Sequence, residues 1–281
     1  MGLVEDFEHV SAGGLHWKLE EIPFARIDLG RVKDDAQLFA MLTCASFVEI
    51  ASDLYGRNLV THFADNADVV AWISGHWQPE EVQHGRALKA YVKAVWPDFP
   101  WAEAFDAFIQ DYAPTATQAH LEPRRALEMA ARCMVETGTA TFYTALGAHC
   151  EEPVLRQIVL NIRNDEIRHY KHFYRFFKDY NALERQGNAA IARTLVKRMA
   201  ITRNEDAYLA YKHFHAVRYP REAFTDAHFQ QYLERGRRLA RRTYPFPMAA
   251  KMTLRLLNLN TRVRTALTPA VAFLARGILM R

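Results

Sequence analysis

Glu81-Val82-Gln83-His84 and Glu166-Ile167-Arg168-His169 repeat one pattern, a glutamate followed three residues later by a histidine. Residues three apart lie on one face of a helix, so each stretch presents a carboxylate and an imidazole to the same side. Helical periodicity surrounds both. The first belongs to an inward row Trp77, Glu81, His84, Leu88, Tyr91, Val95, and the second to a row Leu155, Val159, Ile162, Glu166, His169, Phe173, Phe176, Tyr180. Two further rows follow the same three-four spacing of helix bundles: Leu38, Leu42, Ala45, Glu49, Ser52, Gly56, Leu59, and Met129, Cys133, Glu136, Ala140, Tyr143. Each row is apolar except near its middle, where it carries a glutamate.

An ionised carboxylate is almost never buried without a partner, because desolvating it costs several kcal/mol even after relaxation. Four glutamates on four core rows therefore call for a shared counter-charge, and two iron ions supply it. One Glu from each of two helices plus a Glu-x-x-His from each of two others is the ligand set of ferritin-like di-iron proteins. The expected ligands are Glu49, Glu81, His84, Glu136, Glu166 and His169. Glu80 is the alternative to Glu81, being four residues from His84, but the row favours Glu81. His172 reads as a rim or core histidine, Asp53 as a polar neighbour and Cys133 as a small buried hydrophobe. Pro79 either starts the ligand-bearing segment or kinks the helix one turn before Glu81.

Helices are expected over residues 35–64, 68–96, 101–111, 122–148, 151–180, 187–200, 204–218, 224–242 and 248–280, the last one broken, which makes the chain all-α. At 281 residues it can bury a large core without a staple. The cysteines Cys44, Cys133 and Cys150 are odd in number and show no CxxC spacing, so neither a disulfide framework nor a zinc site is indicated. A reducing, cytoplasmic setting is expected. Met1 to Val10 carries Glu5, Asp6 and Glu8 and does not read as a signal peptide. The longest apolar run, Ala266 to Met280, is broken by Pro269 and Arg276 and falls short of a membrane span.

The net charge of +4 conceals an asymmetry. Residues 1–181 hold 17 Lys and Arg against 26 Asp and Glu, a balance of −9, whereas residues 182–281 hold 19 against 6, or +13. The expected organisation is a ferritin-like four-helix bundle over 1–181 with a basic helical region, 182–281, packed on it. Such a surface suits an acidic carrier protein or an anionic membrane face. Nucleic acid is not expected, since no recognition motif accompanies the charge.

The segment Trp77-Gln78-Pro79-Glu80-Glu81-Val82-Gln83-His84-Gly85 resembles the W-x-x-E-E-x-x-H-G segment of soluble acyl-acyl carrier protein desaturases. Asn164-Asp165-Glu166-Ile167-Arg168-His169 resembles their D-E-x-R-H segment, and Glu136-Thr137-Gly138-Thr139 their E-x-x-T. The resemblance covers roughly residues 36–180; Pro79, the shorter chain and the basic last third depart from it. It implies that Thr139 lies beside the oxygen-binding face and takes part in catalysis, that Asp165 accepts from a ligand imidazole, and that Trp77 sits just outside the ligands. It also implies an O2-dependent di-iron oxidase cycling between Fe2+ and Fe3+, or with manganese in place of one iron, fed by an external donor such as a ferredoxin. The substrate class would be a fatty acyl thioester, carrier-bound or small, undergoing desaturation or hydroxylation, and the family expectation is a homodimer. The alternatives are a ferritin-like N-oxygenase or other small-molecule oxygenase and an iron-oxidising storage protein; the 100 residues of basic helix have no purpose in a storage cage.

Overall fold

Among residues 15–279, which the computed structural model describes, every regular element is a helix. The acidic start, Met1 to Val10, lies outside the described residues. In chain order the helices are α1 (Leu29–Val32), α2 (Ala36–His62), α3 (Ala67–Trp72), α4 (Gln78–Val95), α5 (Trp101–Tyr112), α6 (Arg125–His149), α7 (Pro153–Glu184), α8 (Asn188–Ile201), α9 (Ala207–Arg218), α10 (Asp226–Thr243), α11 (Phe246–Arg255) and α12 (Thr261–Leu279). The all-α expectation is met, and the helices follow the periodicity closely.

The ends are set by local chemistry. Asp35 starts α2 by accepting a hydrogen bond from the Leu38 amide at 2.8 Å. The single helix expected over 68–96 is in fact α3, a π turn at Ile73–Trp77 and α4. There the Gln78 N–H reaches back five residues to the Ile73 carbonyl. The cause is Pro79, which has no N–H and whose ring excludes the carbonyl of a regular turn, so the helix widens before it. Glu152, buried, precedes Pro153 and accepts from the amides of Val154 (3.2 Å) and Leu155 (2.7 Å), which caps α7. The same carboxylate accepts from the Tyr91 hydroxyl at 3.0 Å and the Asp28 amide at 3.3 Å.

At its other end α7 runs one turn beyond expectation, to Glu184. The extra turn has a job: Glu184 accepts from the Arg125 amide at 3.0 Å and the Ala126 amide at 3.3 Å, the unsatisfied donors at the start of α6. Arg185, in the left-handed region at φ 53°, then ends the helix. The break expected in the last helix falls between α11 and α12, while Pro269 is accommodated inside α12.

By internal contacts the chain divides into two compact units. The first holds the described residues through Leu121, with Glu151–Ile158 and Arg203–Glu234. In it α2 packs along α4, and α5 and α9 pack together and against α2. Phe47 meets Trp101 edge-on at 5.3 Å and stacks with Phe108 at 5.6 Å, while Phe39 meets Trp96, Phe99 and Phe214. Each such ring stabilises the fold by about 1.5–3 kcal/mol when fully buried. The most apolar long helix is α2, not the C-terminal run: its mean hydropathy reaches 1.4 over a window long enough to cross a membrane. That window is 72% buried within the protein and includes core-facing side chains, as expected of a core helix.

The second unit comprises Glu122–Cys150, Val159–Thr202 and the chain from Arg235 onward. Here α6 packs on α8 and α11, and α11 on α12. Phe246, Ala250 and Ala272 form an apolar cluster, and the Tyr170 hydroxyl donates to the Met252 carbonyl at 2.6 Å. Glu128, fully buried, pairs with Arg132 at 3.1 Å and Arg198 at 3.4 Å, tying α6 to α8. The basic last hundred residues are thus shared between both units. Cys44, Cys133 and Cys150 are all buried.

Candidate metal centre

In the first unit, α2 supplies Glu49 and α4 supplies Glu81 and His84. Each of the three offers a ligand atom, and these atoms lie within 4.8 Å of one another. His84 Nδ1 is 3.7 Å from Glu49 Oε2. None of the three is more than 7% exposed, so water contributes little to holding their charge. The two helices come together closely because of Gly85. A Cβ there would stand 2.5 Å from Ile50 Cγ1 and 2.8 Å from the Ile50 amide nitrogen, so only glycine lets the backbone beside His84 approach the backbone beside Glu49.

In the second unit, α6 supplies Glu136 and α7 supplies Glu166 and His169, again with ligand atoms within 4.8 Å of one another. His169 Nδ1 lies 3.5 Å from Glu136 Oε2 and 3.9 Å from Glu166 Oε2, and all three residues are 1% exposed. Burial, and then repulsion from Glu166, pushes the Glu136 carboxyl up to about 8, against a smaller opposing pull from His169. Two carboxylates in so dry a place do not both ionise comfortably without a cation. Thr139 Oγ1, 2.6 Å from Glu166 Oε2, donates to that carboxylate.

The neighbours sort themselves by their partners. Glu80 is buried and takes a hydrogen bond with His16 Nδ1 at 2.9 Å, while Glu81 stands with Glu49 and His84. Asp53 pairs with Arg57 at 2.5 Å and accepts from Gln78, the side chain that packs over Gly56. Asp165, buried, forms an ion pair with Arg168 one turn along α7. Trp77 is buried at the end of the π turn. His172 is half-buried and Cys133 fully buried. The sequence pointed to neither His16 nor Glu152, and Gly85 stood in it only as the last residue of the Trp77–Gly85 segment. His16 carries no signal, since it comes from a segment without periodicity.

No protein-family model, curated protein or solved structure matches the chain.

The donor set itself says what it can hold. Each unit offers two carboxylates and one imidazole, oxygen and nitrogen donors suited to a first-row divalent metal. Thiolates are absent from both groups. Buried Glu/His groups able to bind a metal ion are therefore a property of this protein.

Proposed function

We propose that the chain is an O2-dependent di-iron oxidase of ferritin-like class that attacks an unactivated C–H bond of a fatty acyl thioester, by desaturation or hydroxylation. One observation carries this reading: the same buried donor set, a Glu on one helix and a Glu-x-x-His on another, occurs in each unit. Glu49, Glu81 and His84 would hold one iron, and Glu136, Glu166 and His169 the other. When bound, the irons supply the reduction of O2 to an oxidant able to take hydrogen from carbon, with electrons from an external donor of the ferredoxin kind.

The chain's own part is positional. Burial of all six ligands keeps water from their oxygen and nitrogen atoms, which strengthens every electrostatic interaction there. The Thr139 hydroxyl holds a proton at Oγ1 on the carboxylate side of Glu166, where it orients that ligand and stands as a local proton donor. The arginines of α10, among them Arg238, Arg241 and Arg242 on exposed turns, offer a cationic face to an acidic acyl carrier protein.

The test is to load the full chain with Fe2+ without oxygen, then admit O2 together with an acyl carrier thioester and a reductant. Mass spectrometry should find an acyl chain lighter by two hydrogens or heavier by one oxygen. Iron-loaded protein that consumes O2 and leaves every acyl substrate unchanged would overturn the acyl reading.

A further inference from the structure

A second group of metal-ligating side chains lies at the turn that joins α9 to α10, and the oxidase reading makes no use of it. His215 sits in the last turn of α9, Glu222 in the connecting loop and His228 in the first turn of α10. Each offers a ligand atom, and these atoms lie within 4.8 Å of one another. All three belong to the first unit.

The group has the marks of a prepared site. His215 is only 2% exposed, yet its Nδ1 has no hydrogen-bond partner, an expensive arrangement for a buried polar atom. Its ring stacks on that of His228 at 4.4 Å between centroids, with Tyr219 and Phe224 at 5.0 and 5.5 Å walling the remaining sides. His228 Nε2 lies 3.0 Å from Glu222 Oε1, already paired with the carboxylate. On its far side, His228 Nδ1 is 3.1 Å from both the amide and the hydroxyl of Thr225. The amide can only donate, so Nδ1 is an acceptor and the ring proton sits on Nε2, pointing at Glu222. An ion at Nε2 would displace that proton, and a proton taken up at Nδ1 would exchange the Thr225 amide contact for a hydrogen bond donated to Thr225 Oγ1.

We propose that His215, Glu222 and His228 form a separate site for a single Zn2+ ion, which staples the α9–α10 turn. Two imidazoles and one carboxylate make a donor set that zinc uses in four-coordinate sites, with the fourth position left to water. Glu222 has a side chain 56% exposed, which gives the ion its way in from solvent.

The test uses the full chain as purified. Zn2+ is added, unbound metal removed and bound zinc counted per chain by mass spectrometry, for the native protein and for Glu222→Gln and His228→Ala. Both altered side chains are partly exposed, so the variants should keep the native circular dichroism. The native protein should bind one zinc more per chain than either variant, with affinity in the variants weaker by about tenfold or more. Zinc should also raise the melting temperature of the native protein by more than that of the variants. Iron content should be the same in all three, which separates this site from the buried carboxylates. Equal zinc counts and equal affinities in native and variant proteins would overturn the proposal, whatever the fate of the oxidase reading.

Discussion

Gly85 on α4 and Ile50 on α2 touch so closely that a Cβ on the glycine would lie 2.5 Å from Ile50 Cγ1. Glu49 and His84 flank this contact, one on each helix. Gly85→Ala would gain about 1 kcal/mol of helix propensity. That gain is outweighed because the clash includes backbone, the Ile50 nitrogen at 2.8 Å and the Ser46 carbonyl at 3.0 Å, which cannot swing aside. A net loss of about 1–3 kcal/mol is expected in urea unfolding, together with a lower iron content as α2 and α4 are pushed apart.

Removing a proposed ligand should be felt as metal loss before anything else. Glu136→Ala and His169→Ala are each expected to bind less iron and to consume no O2 above background. Full iron content and full oxygen consumption in either variant would refute the assignment of the second triad.

The raised pKa of Glu136 makes the metal-free protein pH-sensitive in a definite direction. Its carboxyl, pushed up to about 8 from an ordinary 4.5, holds a proton in the folded chain that the unfolded chain releases. Stability from this group is thus complete below about 4.5 and is lost as pH rises through about 8. The melting temperature of metal-free protein should fall between about pH 5 and pH 8, and Glu136→Gln should flatten that fall. Metal uptake should release protons near neutral pH, measurable by titration in weak buffer.

Glu128 stands between Arg132 and Arg198 in the core of the second unit. Glu128→Ala removes the carboxylate and leaves two buried guanidinium groups facing each other's charge. A loss of about 3–5 kcal/mol is expected in denaturant unfolding, since deleting one partner of a buried ion pair leaves the other uncompensated. A loss below about 1 kcal/mol would mean that the arginines relax to solvent.

Reversing the charge of Arg237, Arg238, Arg241 and Arg242 should weaken binding of an acidic acyl carrier protein, most strongly at low ionic strength. An affinity unchanged by the substitutions and by salt would remove α10 as the docking surface.

Several features were legible before any tertiary structure. The helices and their apolar faces follow from i, i+3 and i, i+4 spacing, which is local, and so does the meeting of Glu with His in each Glu-x-x-His. Pro79 announced a disturbance, though not that it would widen into a π turn. The choice of Glu81 over Glu80 is a matter of register; the hydrogen bond between Glu80 and His16 joins distant segments and could not be read that way.

A helical protein with four acidic core rows and two paired carboxylate–imidazole faces could be read from the order of residues alone, because helical periodicity needs only neighbours in the chain. The tertiary structure decided what lies between distant segments: Glu152 capping α7 while holding Tyr91, Glu184 capping α6, Gly85 against Ile50, and His215 with Glu222 and His228 around a turn. Those relationships depend on where the chain returns in space. Irregular spacing across loops carries no period from which such a return can be read.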